Sequence, residues 1–192
     1  SHIVVMGIGE PFDNYYNTMN FIDIINHPDG LAIGARHITV STSGIVPQIK
    51  EFADRDKQVN LAISLHAPND KIRTKIMKIN IAYNIKEVID AAKYYVEKTN
   101  RRITFEYILL ENVNDDIHHA DELSNLLRGI NCHVNLIRYN SVVEFYYKGS
   151  RESRATAFHQ QLVKRGINAT LRKEQGSDID AACGQLRSKK IN

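Results

Sequence analysis

"VNLAISLH", residues 59–66, is the stretch on which the fold turns. It is a short run rich in β-branched and aliphatic residues, and it reads as a strand. The segment after it has a different period. Ile85, Val88, Ile89, Ala92, Tyr95 and Val96 form one stripe along 85–98, as a helix with a single buried face requires. "ITFEYILL" (103–110) then returns to strand character. A strand, a helix-length crossover and a second strand can only be neighbours in a parallel sheet, because a parallel return needs a long connection that packs back on the sheet.

The same alternation extends both ways. Upstream, "HIVVM" (2–6) and "HITVST" (37–42) read as strands. The first is followed by Tyr15, Met19, Ile22 and Ile25 at helical spacing, the second by Ile45, Ile49, Phe52 and Ala53. Downstream come Ile117, Ala120, Leu123 and Leu127, then the strand "HVNLIRY" (133–139). A helix near 153–165 carrying Phe158 and Leu162 and a short strand "NATLRK" (168–173) complete the series. The class is α/β with a mostly parallel sheet. Six strands are fewer than the eight of a closed (β/α) barrel, so the expected form is an open or partial barrel, read as one domain over 1–192.

Composition sets outer limits. The chain has 192 residues, 43% hydrophobic and 24% charged, the balance of a globular protein. No stretch approaches the roughly 18 unbroken apolar residues of a membrane span, and the first residues lack the basic-then-apolar run of a signal peptide. The expectation is a cytoplasmic protein. Two cysteines, Cys132 and Cys183, are too few for a disulfide scaffold or a cysteine-rich metal site. A net charge of +3 with paired basics such as Arg101-Arg102 and Lys189-Lys190 suits either a phosphate backbone or ordinary solvated helix ends.

Ligands of such sheets sit beyond the C-terminal ends of the strands. That rule selects "GIGEP" (7–11), "STSG" (41–44), "SLHAPND" (64–70), Glu106 and "RYN" (138–140). Gly7 and Gly9 lack the third glycine of a dinucleotide fingerprint, where Phe12 stands instead. Gly9 lets a ligand approach the backbone and Glu10 offers a carboxylate to an amine or hydroxyl; equally, the segment is a plain strand-to-helix turn. Ser41, Ser64 and Asn140 either bind a carboxylate or ribose together, or serve singly as caps and turns. His66 is a general base or a backbone hydrogen-bonder. "NDDIHHADE" (114–122) has metal-like spacing, but acidic residues opening a helix cap its free amides and account for the same letters. Tyr146-Tyr147-Lys148 with Arg151 can stack and clamp an unpaired base, or fold onto the domain. In "DIDAACGQL" (178–186), Asp178 and Asp180 would raise the pKa of Cys183, which favours an inert cysteine over an activated nucleophile.

Six blocks in this order, "MGIGEP", "RHITVSTSGIVP", "LAISLHAPND", "FEYILLENVND", "CHVNLIRYN" and "SDIDAACGQL", resemble the RlmN/Cfr family of radical S-adenosylmethionine RNA methyltransferases, and most of all its RlmN branch. The resemblance implies a partial (β/α) radical-SAM barrel that methylates C2 of an adenosine in 23S rRNA and in some tRNAs. It makes Gly9, Glu10, Ser41, Ser64, Leu65, His66 and Asn140 contacts of S-adenosylmethionine. Cys183, in a C-terminal segment over 175–192, becomes the catalytic cysteine, methylated by one cofactor molecule. A second molecule, cleaved reductively on a [4Fe-4S] cluster, yields the radical that activates the methyl group. An electron donor such as flavodoxin or ferredoxin is implied.

The sequence departs from the family pattern in lacking the CxxxCxxC cluster motif and the second, resolving cysteine. The resemblance places these, the first barrel strand and an accessory domain upstream of Ser1, so the chain reads as the C-terminal part of such an enzyme, inactive alone. Lys78 and Ser141 stand where the family usually has prolines. Two competing readings are a cluster-free relative that binds RNA or a nucleoside without catalysis, and an unrelated (β/α) aldolase or isomerase. For the last, no lysine or metal constellation stands at the strand ends.

Overall fold

The computed structural model describes residues 2–6, 9–55, 57–140 and 146–172. Six strands form one sheet: β1 (Ile3–Val5), β2 (Ile38–Thr42), β3 (Asn60–Ser64), β4 (Ile103–Leu109), β5 (Cys132–Arg138) and β6 (Ala169–Leu171). Their spatial order is their chain order, and every pairing is parallel. The helices α1 (Tyr15–Asn26), α2 (Val46–Asp54), α3 (Asp70–Ile76), α4 (Ile85–Thr99), α5 (Ile117–Leu126) and α6 (Glu152–Lys164) fill the crossovers. With right-handed crossovers, an order that never reverses carries all of them to one face. Accordingly α2 packs on α4, and α5 on α6. The sheet is open, with β1 and β6 at its edges.

Period-two alternation divides each strand between two environments. Ile38 and Val40, Leu61 and Ile63, Ile103, Phe105, Tyr107 and Leu109, and Val134 and Leu136 are fully buried in the core under the helices. Each such side chain contributes about 1.5–3 kcal/mol relative to exposure. Rings lock the layers: Phe52 of α2 stacks on Tyr95 of α4 with centroids 6.2 Å apart, and Tyr107 meets Phe158 of α6 at 5.3 Å.

The other face is polar. In register, Ser41 lies beside Ala62, Ala62 beside Thr104 and Thr104 beside His133. One step nearer the C-terminal ends, Ser64, Glu106, Asn135 and Thr170 form a second row across four strands. Because all strands run the same way, the loops after β1 to β5 emerge along one edge of the sheet, next to that second row.

Local signals set the helix boundaries. Asn84 caps α4 through a capping box with Glu87, and Asn100 ends the helix with φ +53°, a conformation asparagine tolerates. α3 is a helix that the apolar periodicity does not indicate. Its one buried residue is Arg73. Asn69 caps it, its side chain accepting from the Ile72 amide at 3.0 Å. No helix among the described residues is long and apolar enough to cross a membrane.

Candidate functional site

The loop after β1 is tied to the loop after β2 by one carboxylate. Glu10 Oε1 accepts from the Phe12 amide at 3.0 Å and caps the short 3-10 turn at Pro11–Asn14; its Oε2 accepts from the Ser43 amide at 2.6 Å. A carboxylate has about four lone-pair sites, so two main-chain bonds leave it able to receive an ammonium or hydroxyl. Gly9 has φ +107° and open space where a Cβ would stand. The backbone turn, not crowding, demands glycine there. Gly7 and Ile8 lie outside the described residues.

Ser41 is buried on the polar face of β2, and its hydroxyl has no hydrogen bond among the described residues. Ser64 ends β3 on the same face, in register with Glu106. Glu106 is buried and accepts from Asn135 Nδ2 at 2.8 Å; burial pushes its carboxyl above the usual range, against the opposing pull of Asn135 and of the Arg172 charge. Leu65 sends its side chain into the core, so it offers the site only backbone, and its amide already donates to Glu106 O at 3.0 Å.

His66 is the most constrained member. Its φ is +57°, its amide donates to Glu106 O at 3.3 Å, and its Nδ1 accepts from the Ile108 amide at 3.1 Å. An accepting Nδ1 puts the proton of the neutral ring on Nε2. Burial, helped by the Arg73 charge, pushes the imidazole down to about 4. His66 is therefore a neutral Nε2–H donor at physiological pH. Asn140 follows β5 and sits next to Tyr139, whose amide donates to Leu109 O at 3.4 Å; this places it at the same edge, one strand further along. Cys183 lies outside the described residues.

The structure thus brings Glu10, Ser43 and His66 to one rim and Ser41, Ser64 and Glu106 onto the adjoining face. Three contributors escaped sequence reasoning. Asn135 was readable, since it is the polar alternate of Val134-Asn135-Leu136. Arg73 was not, because a buried arginine looks like a solvated one. Asn114 was overlooked inside its acidic run: it is fully buried, and its side-chain amide donates to His66 O at 2.8 Å and to Ile108 O at 2.7 Å.

The rest of that run caps and ties. Asp116 is the N-cap of α5 in a reciprocal pair with His119, and Asp115 accepts from Arg154 of α6 and, at 2.7 Å, from the Ser150 hydroxyl. Tyr146 stands fully in solvent, Tyr147 is half-buried, and Arg151 pairs with Glu111 at 2.8 Å.

The chain is similar to known proteins over essentially its whole length. A probable dual-specificity RNA methyltransferase RlmN of Acholeplasma laidlawii (strain PG-8A) is 61% identical over 191 residues, covering 100% of this chain and 56% of the relative. One of the same description from Staphylococcus aureus (strain JH9) is 58% identical, covering 98% of this chain and 52% of the relative. The chain spans about half the length of these curated relatives. The crystal structure of a radical SAM methyltransferase from Sphaerobacter thermophilus superposes with a TM-score of 0.93 at 49% identity, over 96% of this chain and 54% of that one. A domain of pyruvate-formate lyase-activating enzyme from Bacteroides vulgatus ATCC 8482 shares the fold, at a TM-score of 0.66 and 17% identity, over 90% of this chain and 99% of that one. The model of the radical SAM superfamily matches residues 1–123, a span that contains the Glu10–Ser43 tie, both serines and His66; the chain belongs to that superfamily.

Proposed function

We propose that this chain is the cofactor-binding part of an RNA methyltransferase of the RlmN type, which methylates C2 of adenosine in 23S rRNA and in tRNA. The observation that carries the reading is the 58–61% identity to RlmN relatives over essentially the whole chain. The partners are these RNAs and a small electron-transfer protein such as flavodoxin or ferredoxin, and the location is the cytoplasm.

The residues fit S-adenosylmethionine. Glu10 retains acceptor capacity for the methionyl ammonium. The Ser41 hydroxyl, unengaged among the described residues, and Ser64 suit a carboxylate or ribose. Neutral His66 offers one N–H, and Asn140 both a donor and an acceptor. Bound there, the cofactor supplies a methyl group and, on reductive cleavage, radical chemistry. The described residues do not fit the cluster. Their one cysteine, Cys132, is buried in β5 with its thiol pushed up to about 11, whereas iron binds a thiolate. Cys183 is assigned as the methyl-carrying residue on the motif "AACGQL".

The test uses the full-length protein, purified anaerobically, with 23S rRNA fragments and tRNA as substrates and mass spectrometry of the digested nucleosides. A C2-methyladenosine product that disappears in Cys183→Ala is expected. RNA binding without any methylated product would favour the non-catalytic relative instead.

A further inference from the structure

Arg73 is fully buried, the largest side chain so enclosed among the described residues. It makes five hydrogen bonds. Nε donates to Leu65 O at 3.2 Å. Nη1 donates to Asn80 Oδ1 at 3.0 Å and Tyr83 O at 3.3 Å, and Nη2 to Ser43 O at 2.6 Å and Ser64 O at 3.3 Å. All five acceptors are carbonyl oxygens, four of them main-chain. None is a carboxylate. Asp70, the acid whose charge it feels, spends Oδ1 on Asn80 Nδ2 and the Ile85 amide.

That arrangement is a poor way to gain stability. A buried charge without an ionic partner is costly, and apolar residues of similar volume commonly serve a core as well or better. What the guanidinium supplies is geometry, since its planar fork fixes several acceptors relative to one another. Three of the acceptors, Ser43, Ser64 and Leu65, belong to the loop after β2 and the end of β3, and the other two, Asn80 and Tyr83, lie between α3 and α4. Ser43 is the residue whose amide holds Glu10, and Ser64-Leu65 lead directly into His66. Gly44 keeps the passage open: with φ +109°, its Cβ would stand 3.1 Å from Arg73 Nη2 and 3.2 Å from Val88 Cγ2.

We propose that Arg73 is the positioning residue of the S-adenosylmethionine site: its fork sets the spacing between the Glu10–Ser43 side of the site and His66 without touching the cofactor. The proposal rests on the cofactor reading of the proposed function. It goes further in making affinity depend on a side chain closed off from any ligand.

The experiment is equilibrium dialysis of labelled S-adenosylmethionine against the full-length, anaerobically prepared protein, beside thermal melts of each variant. Arg73→Lys keeps the charge and loses the fork. It is expected to weaken binding roughly 10- to 100-fold, by analogy with the loss when a residue that orients a metal's ligands is removed. Asn80→Ala cuts one Nη1 acceptor and leaves the Nη2 bonds to Ser43 and Ser64, so it should lower the melting temperature with a clearly smaller loss of affinity than Arg73→Lys. Wild-type affinity in folded Arg73→Lys overturns the proposal. So do parallel affinity losses in the two variants, which would mark general loosening. If Arg73→Lys does not fold, Gly44→Ala decides: a several-fold loss supports the clamp and an unchanged affinity overturns it. A wild-type protein that binds no S-adenosylmethionine would sink the cofactor reading itself, an outcome distinct from all of these.

Discussion

His66 combines two costs at one position: a left-handed backbone worth about 1–2 kcal/mol for a residue with a Cβ and a ring held neutral by burial. Its depressed pKa has a definite consequence for stability. Between the ordinary histidine value of 6.5 and about 4, the unfolded chain binds a proton that the folded one refuses, so acidification through that window favours unfolding. At about 1.4 kcal/mol per unit, discounted because the ring is only half-buried, the loss by pH 4.5 is about 1–2 kcal/mol. His66→Asn keeps an acceptor and tolerates positive φ but does not titrate. Urea unfolding at pH 7.5 and 4.5 should show the variant losing less stability than wild type over the interval; equal losses would refute the lowered pKa of His66. Gly44 makes a second case, because its strain and its crowding coincide. Gly44→Ala is expected to cost about 2–4 kcal/mol, and Gly166→Ala, with φ +81° in open space, about 1–2 kcal/mol, both read from denaturant midpoints.

At the scale of elements, legibility followed the kind of residue an element buries. The stripe at 85–98 became α4, Ile85–Thr99, because seven of its residues face the core. The strands were found within a residue or two of their ends, with "VNLAISLH" shortened to Asn60–Ser64 where the backbone turns at His66. α3 was missed for a physical reason. It buries an arginine and leaves Ile72 and Ile76 half-exposed, so apolar periodicity has nothing to register. The site divided similarly. Loop positions at strand ends could be picked out by rule, whereas ties such as Arg73 to Ser43 join residues 30 apart in sequence and exist only once the sheet has formed. The run 114–122 shows what capping explains. Asp116→Ala should destabilise α5 and the protein by about 1 kcal/mol, and zinc or manganese should leave the wild-type melting temperature unmoved. A clear rise with either cation would restore the metal reading.

Across the whole molecule, a sheet wound in one direction gives its helices a single apolar face and leaves the opposite face to chemistry. The division carries a stability cost that concentrates at Glu106. Among the described residues nothing cationic touches this buried carboxylate directly; it has the Asn135 amide and only the longer-range charge of Arg172, and its pKa is accordingly raised. The folded state therefore holds a proton on it more tightly than the unfolded chain does, so its contribution is most favourable in acid and is lost as pH rises through the raised value, opposite in sign to His66. Functional faces commonly retain such groups at the expense of stability. Glu106→Gln preserves shape and can still accept from Asn135. It should raise stability at pH 7.5 by about 1 kcal/mol, with the gain shrinking toward pH 4.5 as the wild-type carboxyl becomes protonated. Paired thermal melts across that range provide the measurement. A destabilised Glu106→Gln at pH 7.5 would show that the fold needs the charge, and that the polar face is part of its architecture rather than a surface it maintains for a ligand.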